Sequence, residues 1–252
     1  MNKLNLKNIT ENLLDTFIEA GKIAKEIGKK GPEITIKADK SPVTNGDIIV
    51  DKILREKIEA LTPNIPIISE ETVDLNVENR SKDFWLVDPI DGTRDYIKGK
   101  DEYTLNAALI IDFKPTIGII FAPLKDRLFF SYGKKLAFEI KNNKKKLLTC
   151  ETKSINKFIG LENSATTPKE VLDIYKKYKV TDTIKMSSSL KFCVLAAGEA
   201  DIYAANARAY EWDIAAGHAI LEHAGGSVTT HNEKPFLYGK KKFKNLPIIA
   251  KR

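Results

Sequence analysis

The chain has 252 residues, of which 42% are hydrophobic and 30% are charged. This composition supports one large domain or two intimate subdomains and excludes wholesale disorder. No apolar run approaches the ~20 residues that span a bilayer, and the amino terminus lacks a continuous apolar segment, so we expect neither an integral membrane segment nor a secretory signal. The two cysteines, Cys150 and Cys193, are too few for a disulfide framework. We therefore expect a cytoplasmic protein.

The net charge is +7, from 41 Lys and Arg against 34 Asp and Glu. Such a charge favours anionic partners, which leaves nucleic acid, a membrane surface or a phosphorylated small molecule. The lysines concentrate in residues 134–146 and 240–244. No recognised nucleic-acid-binding module accompanies these stretches, so we expect them to be solvated faces and expect no nucleic acid as partner.

The first half of the chain predicts two long helices and a series of strands. Apolar residues three or four apart predict a helix over residues 5–28, and Ile34 and Ile36 alternate as in a short strand. Thr44, with Asp47 three residues later, has the spacing of a capping box at the start of a second helix. Apolar runs of strand length follow at residues 65–69, 84–88, 104–112, 116–122 and 128–132, and residues 134–146 predict a pair of strands around Asn142-Asn143.

The second half predicts alternating strands and helices. Thr167 is the predicted N-cap of one helix, with Pro168 at its first position and Glu170 at its third. Two more helices are predicted over 189–198 and 213–224, and strands at 157–161, 201–204, 227–230 and 246–250. The pattern predicts an α/β fold with two subdomains, residues 1–147 and 148–252.

Three groups of carboxylates lie at junctions between predicted elements. Glu70 and Glu71 follow one strand, and a solvated pair would explain them. Asp213 opens a predicted helix, where an aspartate complements the helix dipole. Asp88 and Asp91 resist such explanations, because Pro89 and Gly92 would hold these like charges together on a rigid bend after a buried strand.

A cation would explain this grouping of carboxylates. All the nearby ligands are oxygens, with no His or Cys, which favours Mg²⁺ over Zn²⁺. Carboxylates at Glu70, Asp88, Asp91 and Asp213 would suffice to bind it. The backbone N–H groups of Gly92 and Thr93, at a turn or helix start, would then face a phosphate.

Four segments together resemble the inositol monophosphatase superfamily: SPVTNGD (41–47), SEE (69–71), WLVDPIDGT (85–93) and EWDIAAGHAI (211–220). The resemblance runs from the first helix to residues 243–245. It implies a layered αβαβα sandwich and a lithium-sensitive phosphomonoesterase with two or three Mg²⁺ ions. The metal ligands that it implies are Glu70, Asp88 as the bridging residue, the backbone carbonyl of Ile90, Asp91 and Asp213.

The resemblance also implies roles in catalysis and substrate binding. Thr93 with Asp47 would orient and deprotonate the attacking water, and Glu70 belongs to the same catalytic set. Glu71 would either assist through a water or serve the structure, and Trp212 would position its neighbour by packing. The residues implied to bind the substrate are Asp91, Gly92, Thr93, Ser188, Lys191, Arg208 and Asp213.

Within the superfamily, residues 94–109 and 187–203 are most similar to bacterial 3′(2′),5′-bisphosphate nucleotidases of the CysQ type. Those enzymes convert 3′-phosphoadenosine 5′-phosphate, a by-product of sulfate activation, into AMP. Ser188 and Lys191 would contact the retained phosphate. The usual basic pair after the position of Tyr203 is Ala204-Ala205 here, and Arg208 is the candidate replacement. An inositol- or sugar-phosphate phosphatase is the alternative, and we expect a monomer or a homodimer.

Overall fold

The computed structural model describes residues 5–37, 39–77, 81–150, 157–163 and 166–252. The chain begins with α1 (Leu6–Lys30), the hairpin of β1 (Ile34–Ile36) and β2 (Pro42–Thr44), and α2 (Asn45–Leu61). The first predicted helix runs two residues past Gly28 and ends where Gly31 has a positive φ of 86°. The predicted capping box of α2 is confirmed, since Thr44 and Asp47 exchange hydrogen bonds.

A seven-stranded sheet follows, in which the strands are neighbours in chain order. Strands β3 and β4 are parallel and all later neighbours are antiparallel, with the short helix α3 (Thr93–Ile97) between β4 and β5. The strands are β3 (Ile67–Ser69), β4 (Phe84–Asp91), β5 (Thr104–Ile111), β6 (Lys114–Ala122), β7 (Arg127–Ser131), β8 (Ala137–Lys141) and β9 (Lys144–Leu147).

The rest of the described chain forms a five-stranded mixed sheet in the order β11-β10-β12-β14-β13. Its strands are β10 (Ile159–Glu162), β11 (Asp182–Lys185), β12 (Ile202–Ala205), β13 (Ser227–Thr230) and β14 (Ile248–Lys251). The helices of this part are α4 (Lys169–Lys177), α5 (Leu190–Ala196) and α6 (Ala215–His223).

Two predicted helix starts were wrong. Pro168 is the N-cap of α4 with extended backbone, so Thr167 lies outside the helix and Glu170 is its second residue. Asp213 ends a 3₁₀ turn (Glu211–Asp213), and α6 begins two residues later at Ala215. In both places the backbone conformation of the preceding residues decides where the α-helix begins. Residue type alone does not specify that conformation.

The packing of apolar side chains defines five layers. Residues of α1 and α2 share one core cluster with one face of the seven-stranded sheet. Helices α5 and α6 lie between the two sheets in a second cluster. Helix α4 covers the outer face of the five-stranded sheet. The predicted αβαβα sandwich is therefore confirmed, whereas the division into subdomains 1–147 and 148–252 stays a prediction.

The sheet edge that carries the site is formed by an irregularity in β4. Asp88 pairs with Asn106 and Asp91 pairs with Thr104, so Pro89 and Ile90 together oppose one residue of β5. Such a bulge bends the strand and redirects its side chains. Of the helices in the described ranges, none combines the length and apolar content that a membrane span requires.

Candidate active site

Carboxylates from three separate segments converge at the end of β4. Glu70 follows β3, Asp88 lies in β4, and Asp213 ends the 3₁₀ turn before α6. One carboxylate oxygen from each lies within 4.8 Å of the others. This spacing between oxygen atoms is compatible with common coordination of a cation.

Asp88 is buried, and none of the residues that the structure describes offers it a compensating hydrogen bond. Asp88 is 1% exposed, and no described group donates a hydrogen bond to either of its carboxylate oxygens. Burial, together with the charges of Glu70, Asp91 and Asp213, raises the pKa of Asp88 well above its usual range. An unpaired buried carboxylate of this kind is costly unless a cation or a proton neutralises it.

The neighbouring carboxylates experience the same environment. Burial, with the charges of Asp91 and Glu70, raises the pKa of Asp213 well above its usual range. The pKa of Glu70 is raised to about 7 by burial and by nearby acidic groups. These shifts mean that the cluster favours protons, or a metal ion, over three bare negative charges.

Asp91 lies beside this cluster but uses one oxygen elsewhere. The backbone N–H of Ser189, the N-cap of α5, donates to Asp91 Oδ2 at 2.5 Å. The hydroxyl of Ser189 in turn contacts Asn106 and Thr104 on β5. Ser189 thus fixes Asp91, a role that sequence reasoning missed because residues 187–189 are all serine.

Asp47 and Thr93, 46 positions apart, meet through their side chains. Thr93 Oγ1 lies 3.2 Å from Asp47 Oδ1 and 3.1 Å from the carbonyl oxygen of Ile90. The backbone N–H and hydroxyl of Thr44 donate to Asp47 Oδ2 at 2.8 and 2.6 Å. The capping box of α2 therefore also holds the carboxylate that contacts Thr93.

Lys37 supplies a positive charge that the sequence did not indicate. Its Nζ lies 2.7 Å from Glu71 Oε2 and 3.5 Å from Glu70 Oε1. Burial alone would lower the pKa of Lys37, but Glu71 and Glu70 raise it above its usual value. Lys37 directly follows β1, and nothing in its local sequence distinguishes it from the chain's other lysines.

A cleft of about 480 Å³ opens above the carboxylates. Glu70, Asp91 and Asp213 line it, together with cationic residues on its other walls. Ser41 and Pro42 from the β1–β2 hairpin also border it. The basic residues that line the cleft are Arg94, Lys98, Lys100, Lys191 and Arg208.

Ser188, Lys191 and Arg208 all line this cleft. Lys191 Nζ donates to the carbonyls of Ser188 (2.7 Å) and Met186 (3.4 Å), and it lies 5.1 Å from the centre of the Tyr203 ring. Burial lowers the pKa of Lys191 to about 8. Among the described residues, no hydrogen bond or ion pair occupies the exposed guanidinium of Arg208.

Comparison with known proteins decides the family. The inositol monophosphatase family model matches residues 5–246. The chain belongs to the inositol monophosphatase family. It is similar to "3′(2′),5′-bisphosphate nucleotidase CysQ" of Buchnera aphidicola subsp. Acyrthosiphon pisum, with 34% identity over 91% of this chain and 90% of that protein.

Solved structures of this family have the same fold. CysQ from Bacteroides thetaiotaomicron, a bacterial family member, has a TM-score of 0.80 and 28% identity, over 98% of this chain and 97% of that one. An IMPase/NADP phosphatase in complex with Mg²⁺ and phosphate has a TM-score of 0.79 and 18% identity, over 98% of this chain and 92% of that one. The predicted superfamily and fold class are both confirmed.

Proposed function

We propose that this protein is a Mg²⁺-dependent phosphomonoesterase that removes the 3′-phosphate of 3′-phosphoadenosine 5′-phosphate to give AMP and phosphate. The observation that carries the proposal is the unpaired, buried carboxylate of Asp88 between Glu70 and Asp213, beneath a cleft with cationic walls. Relatives at 34% identity carry the name of this activity. A cytoplasmic location, and a monomeric or homodimeric state, belong to the same proposal.

The residues of the cluster fit a hard divalent cation. Their ligand atoms are all oxygens, and the like charges of Glu70, Asp88 and Asp213 need a positive partner. We infer that these three would hold Mg²⁺, together with Asp91 and the carbonyl of Ile90, and that Asp88 would serve as the ligand common to two ions. When bound, Mg²⁺ would neutralise phosphate charge and lower the pKa of a bound water.

Asp47 and Thr93 are the residues that we propose to activate the attacking water. When Thr93 donates its hydroxyl hydrogen to Asp47 Oδ1, its own oxygen is free to accept a hydrogen bond from a water. In this arrangement the carbonyl of Ile90 also stays free as an oxygen ligand. Burial raises the pKa of Asp47 above its usual value, which makes its carboxylate a better proton acceptor.

The retained 5′-phosphate would bind on the cleft wall that carries Lys191 and Arg208. A lysine ammonium has three donors, and the contacts with Ser188 and Met186 occupy two of them, so one is left for an anion. The guanidinium of Arg208 can bind a phosphate with two parallel hydrogen bonds. Ser188, whose backbone has a positive φ of 56°, lines the same cleft and would also contact the 5′-phosphate.

The alternative function is hydrolysis of an inositol or sugar monophosphate. One observation favours it: Ala205 lines the cleft, at the place where a basic residue is expected for a bisphosphate substrate, and its methyl group offers no hydrogen-bond donor. The carboxylate cluster would serve both reactions equally.

A side-by-side assay decides between the two functions. We expect kcat/KM for 3′-phosphoadenosine 5′-phosphate to exceed that for inositol 1-phosphate by at least about tenfold, because one charge-assisted phosphate contact contributes ~1.5–3 kcal/mol. EDTA should abolish both reactions. A higher kcat/KM for the inositol ester would overturn the nucleotidase assignment, and undiminished activity in EDTA would overturn the metal mechanism.

A further inference from the structure

The turn that carries Asp213 is held from behind by a later segment, residues 236–245, which we call the C-terminal brace. Tyr238 N–H in this brace donates to the carbonyl of Phe113 in the β5–β6 connection, and Phe243 packs on Trp212 with 6.0 Å between ring centres. The brace therefore links the 3₁₀ turn to the seven-stranded sheet.

Glu211 makes the central contacts between the turn and the brace. Its side chain is fully buried, and its two oxygens accept the backbone N–H groups of Gly239 and Lys240 at 2.8 and 2.9 Å. Lys240 Nζ lies 2.7 Å from Glu211 Oε1 and also donates to the carbonyl of Leu237. No donor or charge of this set belongs to the proposed metal ligands.

The backbone just before the turn is also held by the brace. Asn245 Nδ2 donates to the carbonyl of Tyr210, and the backbone N–H of Asn245 donates to the carbonyl of Ala209. Tyr210 N–H then donates to Asp213 Oδ2 at 2.7 Å. Hydrogen bonds thus run from the brace through the turn to the carboxylate itself.

A rigid turn is needed because the carboxylates repel one another. Asp213 lies near Glu70 and Asp88, so negative charge on these carboxylates favours movement of Asp213 out of the cluster. A preformed site avoids the cost of bringing the carboxylates together each time that a metal ion binds.

We propose that Glu211 is a positioning residue: through Gly239 and Lys240 it fixes the 3₁₀ turn so that Asp213 stays in reach of the cation. This inference rests on the metal site of the proposed function. Glu211 itself contacts neither metal nor substrate, and its effect is on the affinity of the site for divalent ions.

The test is binding of Mn²⁺ to the full-length protein without substrate, measured by electron paramagnetic resonance, with hydrogen exchange of residues 209–213 in EDTA as a second readout. In Glu211→Gln the amide NH₂ faces one of the two backbone N–H donors. We expect the dissociation constant for Mn²⁺ to rise by about tenfold to a hundredfold, as for other residues that orient metal ligands. Hydrogen exchange in the turn should become faster.

Two further variants separate positioning from general stability. Lys240→Met keeps both backbone hydrogen bonds to Glu211 and should weaken Mn²⁺ binding less, which keeps the proposal testable if Glu211→Gln does not fold. Glu139→Gln is the matched control. Like Glu211, Glu139 is buried and paired with a basic residue, here Arg127 at 2.6 Å, but its contacts include no residue of the site. Its affinity for Mn²⁺ should equal that of the wild type.

Unchanged Mn²⁺ affinity in Glu211→Gln would overturn the positioning role, and if Glu211→Gln does not fold, unchanged affinity in Lys240→Met would overturn it. So would an equal loss of affinity in Glu139→Gln, because the effect would then be one of general stability. If the wild type itself fails to bind Mn²⁺, the metal site of the proposed function is wrong and the positioning role falls with it. If only the positioning role is wrong, the wild type still binds Mn²⁺. If the metal site is wrong, the wild type does not bind it, so the wild-type measurement distinguishes the two cases.

Discussion

Within the described part of the chain no group donates to the carboxylate of Asp88, and the acidic groups of Glu70, Asp91, Asp213 and Asp47 act on it, so its charge state depends on what else the cluster binds. Without metal, protons reduce the repulsion. In the proposed metal site the same oxygens would be ligands, and they would bind the ion without their protons. Metal affinity and pH are therefore coupled at this residue.

Asp88→Asn should abolish phosphatase activity and leave the protein folded. The amide keeps the shape of the side chain but removes the charge that we propose is shared between two ions. Because the substitution also relieves carboxylate repulsion, the melting temperature in EDTA should not fall. The measurements are steady-state phosphate release at saturating Mg²⁺ and thermal unfolding in EDTA. Near-wild-type turnover would rule out the bridging role.

The contribution of the carboxylate cluster to the stability of the metal-free protein should decrease as pH rises from about 5 to about 8, whereas burial lowers the pKa of His223 to about 4 and makes its contribution increase up to about pH 6.5. The pKa of Glu70 rises from 4.5 to about 7 on folding, and those of Asp88 and Asp213 rise well above their usual values. The folded chain then holds more protons than the unfolded chain, so this stabilisation is complete below about 4.5 and is lost as pH passes about 7.

Mg²⁺ should reverse this trend, because it binds the deprotonated carboxylates. Thermal unfolding with EDTA and with Mg²⁺ across this pH range measures both effects. The rise in melting temperature caused by Mg²⁺ should be larger near pH 8 than near pH 5. Parallel pH profiles with and without Mg²⁺ would contradict the assignment of the raised pKa values to the metal site.

Arg208→Ala should raise KM for 3′-phosphoadenosine 5′-phosphate by about tenfold to a hundredfold, the effect of losing one charge-assisted phosphate contact of ~1.5–3 kcal/mol. Adenosine 3′-phosphate lacks the 5′ group, so its hydrolysis should barely change. The KM of Arg208→Lys, which keeps the charge, should lie between that of the wild type and that of Arg208→Ala. Equal effects on both substrates would assign Arg208 to the scissile phosphate or to the fold.

At the scale of secondary structure, the site depends on how elements begin and end. The sequence predicted the capping box of α2, since Thr44 and Asp47 are three residues apart. It also grouped Asp88, Asp91 and Thr93, which are close along the chain. The bulge in β4 and the 3₁₀ turn before α6 were not predicted, because both are set by pairing with distant segments.

Thr44→Val should lower both stability and activity. Valine keeps the shape of threonine but loses the hydroxyl that caps α2 and donates to Asp47. The lost cap costs about 1 kcal/mol, or roughly 2–4 °C in melting temperature. A looser Asp47 should also lower kcat, with KM little changed. Thr44→Ser is the control in both assays, and an unaltered kcat in Thr44→Val would show that the cap does not serve catalysis.

At the scale of the whole molecule, alternating helices and strands predicted an α/β fold, and the resemblance supplied the order of layers. Strand β11 escaped prediction because all four of its residues are exposed, so it has no alternation of buried and exposed positions. The roles of Lys37 and Ser189 in the site were not predicted for another reason. Each contacts site residues that lie more than 30 positions away in the chain. Such contacts leave no local signal in a single sequence.

A crystal structure grown with Mn²⁺ and AMP tests the central claim most directly. We predict anomalous density for Mn²⁺ within ligand distance of Asp88, with Glu70 or Asp213 also bound, and the 5′-phosphate of AMP in contact with Lys191. Mn²⁺ bound elsewhere, with the carboxylate of Asp88 still without a partner, would contradict the proposed mechanism.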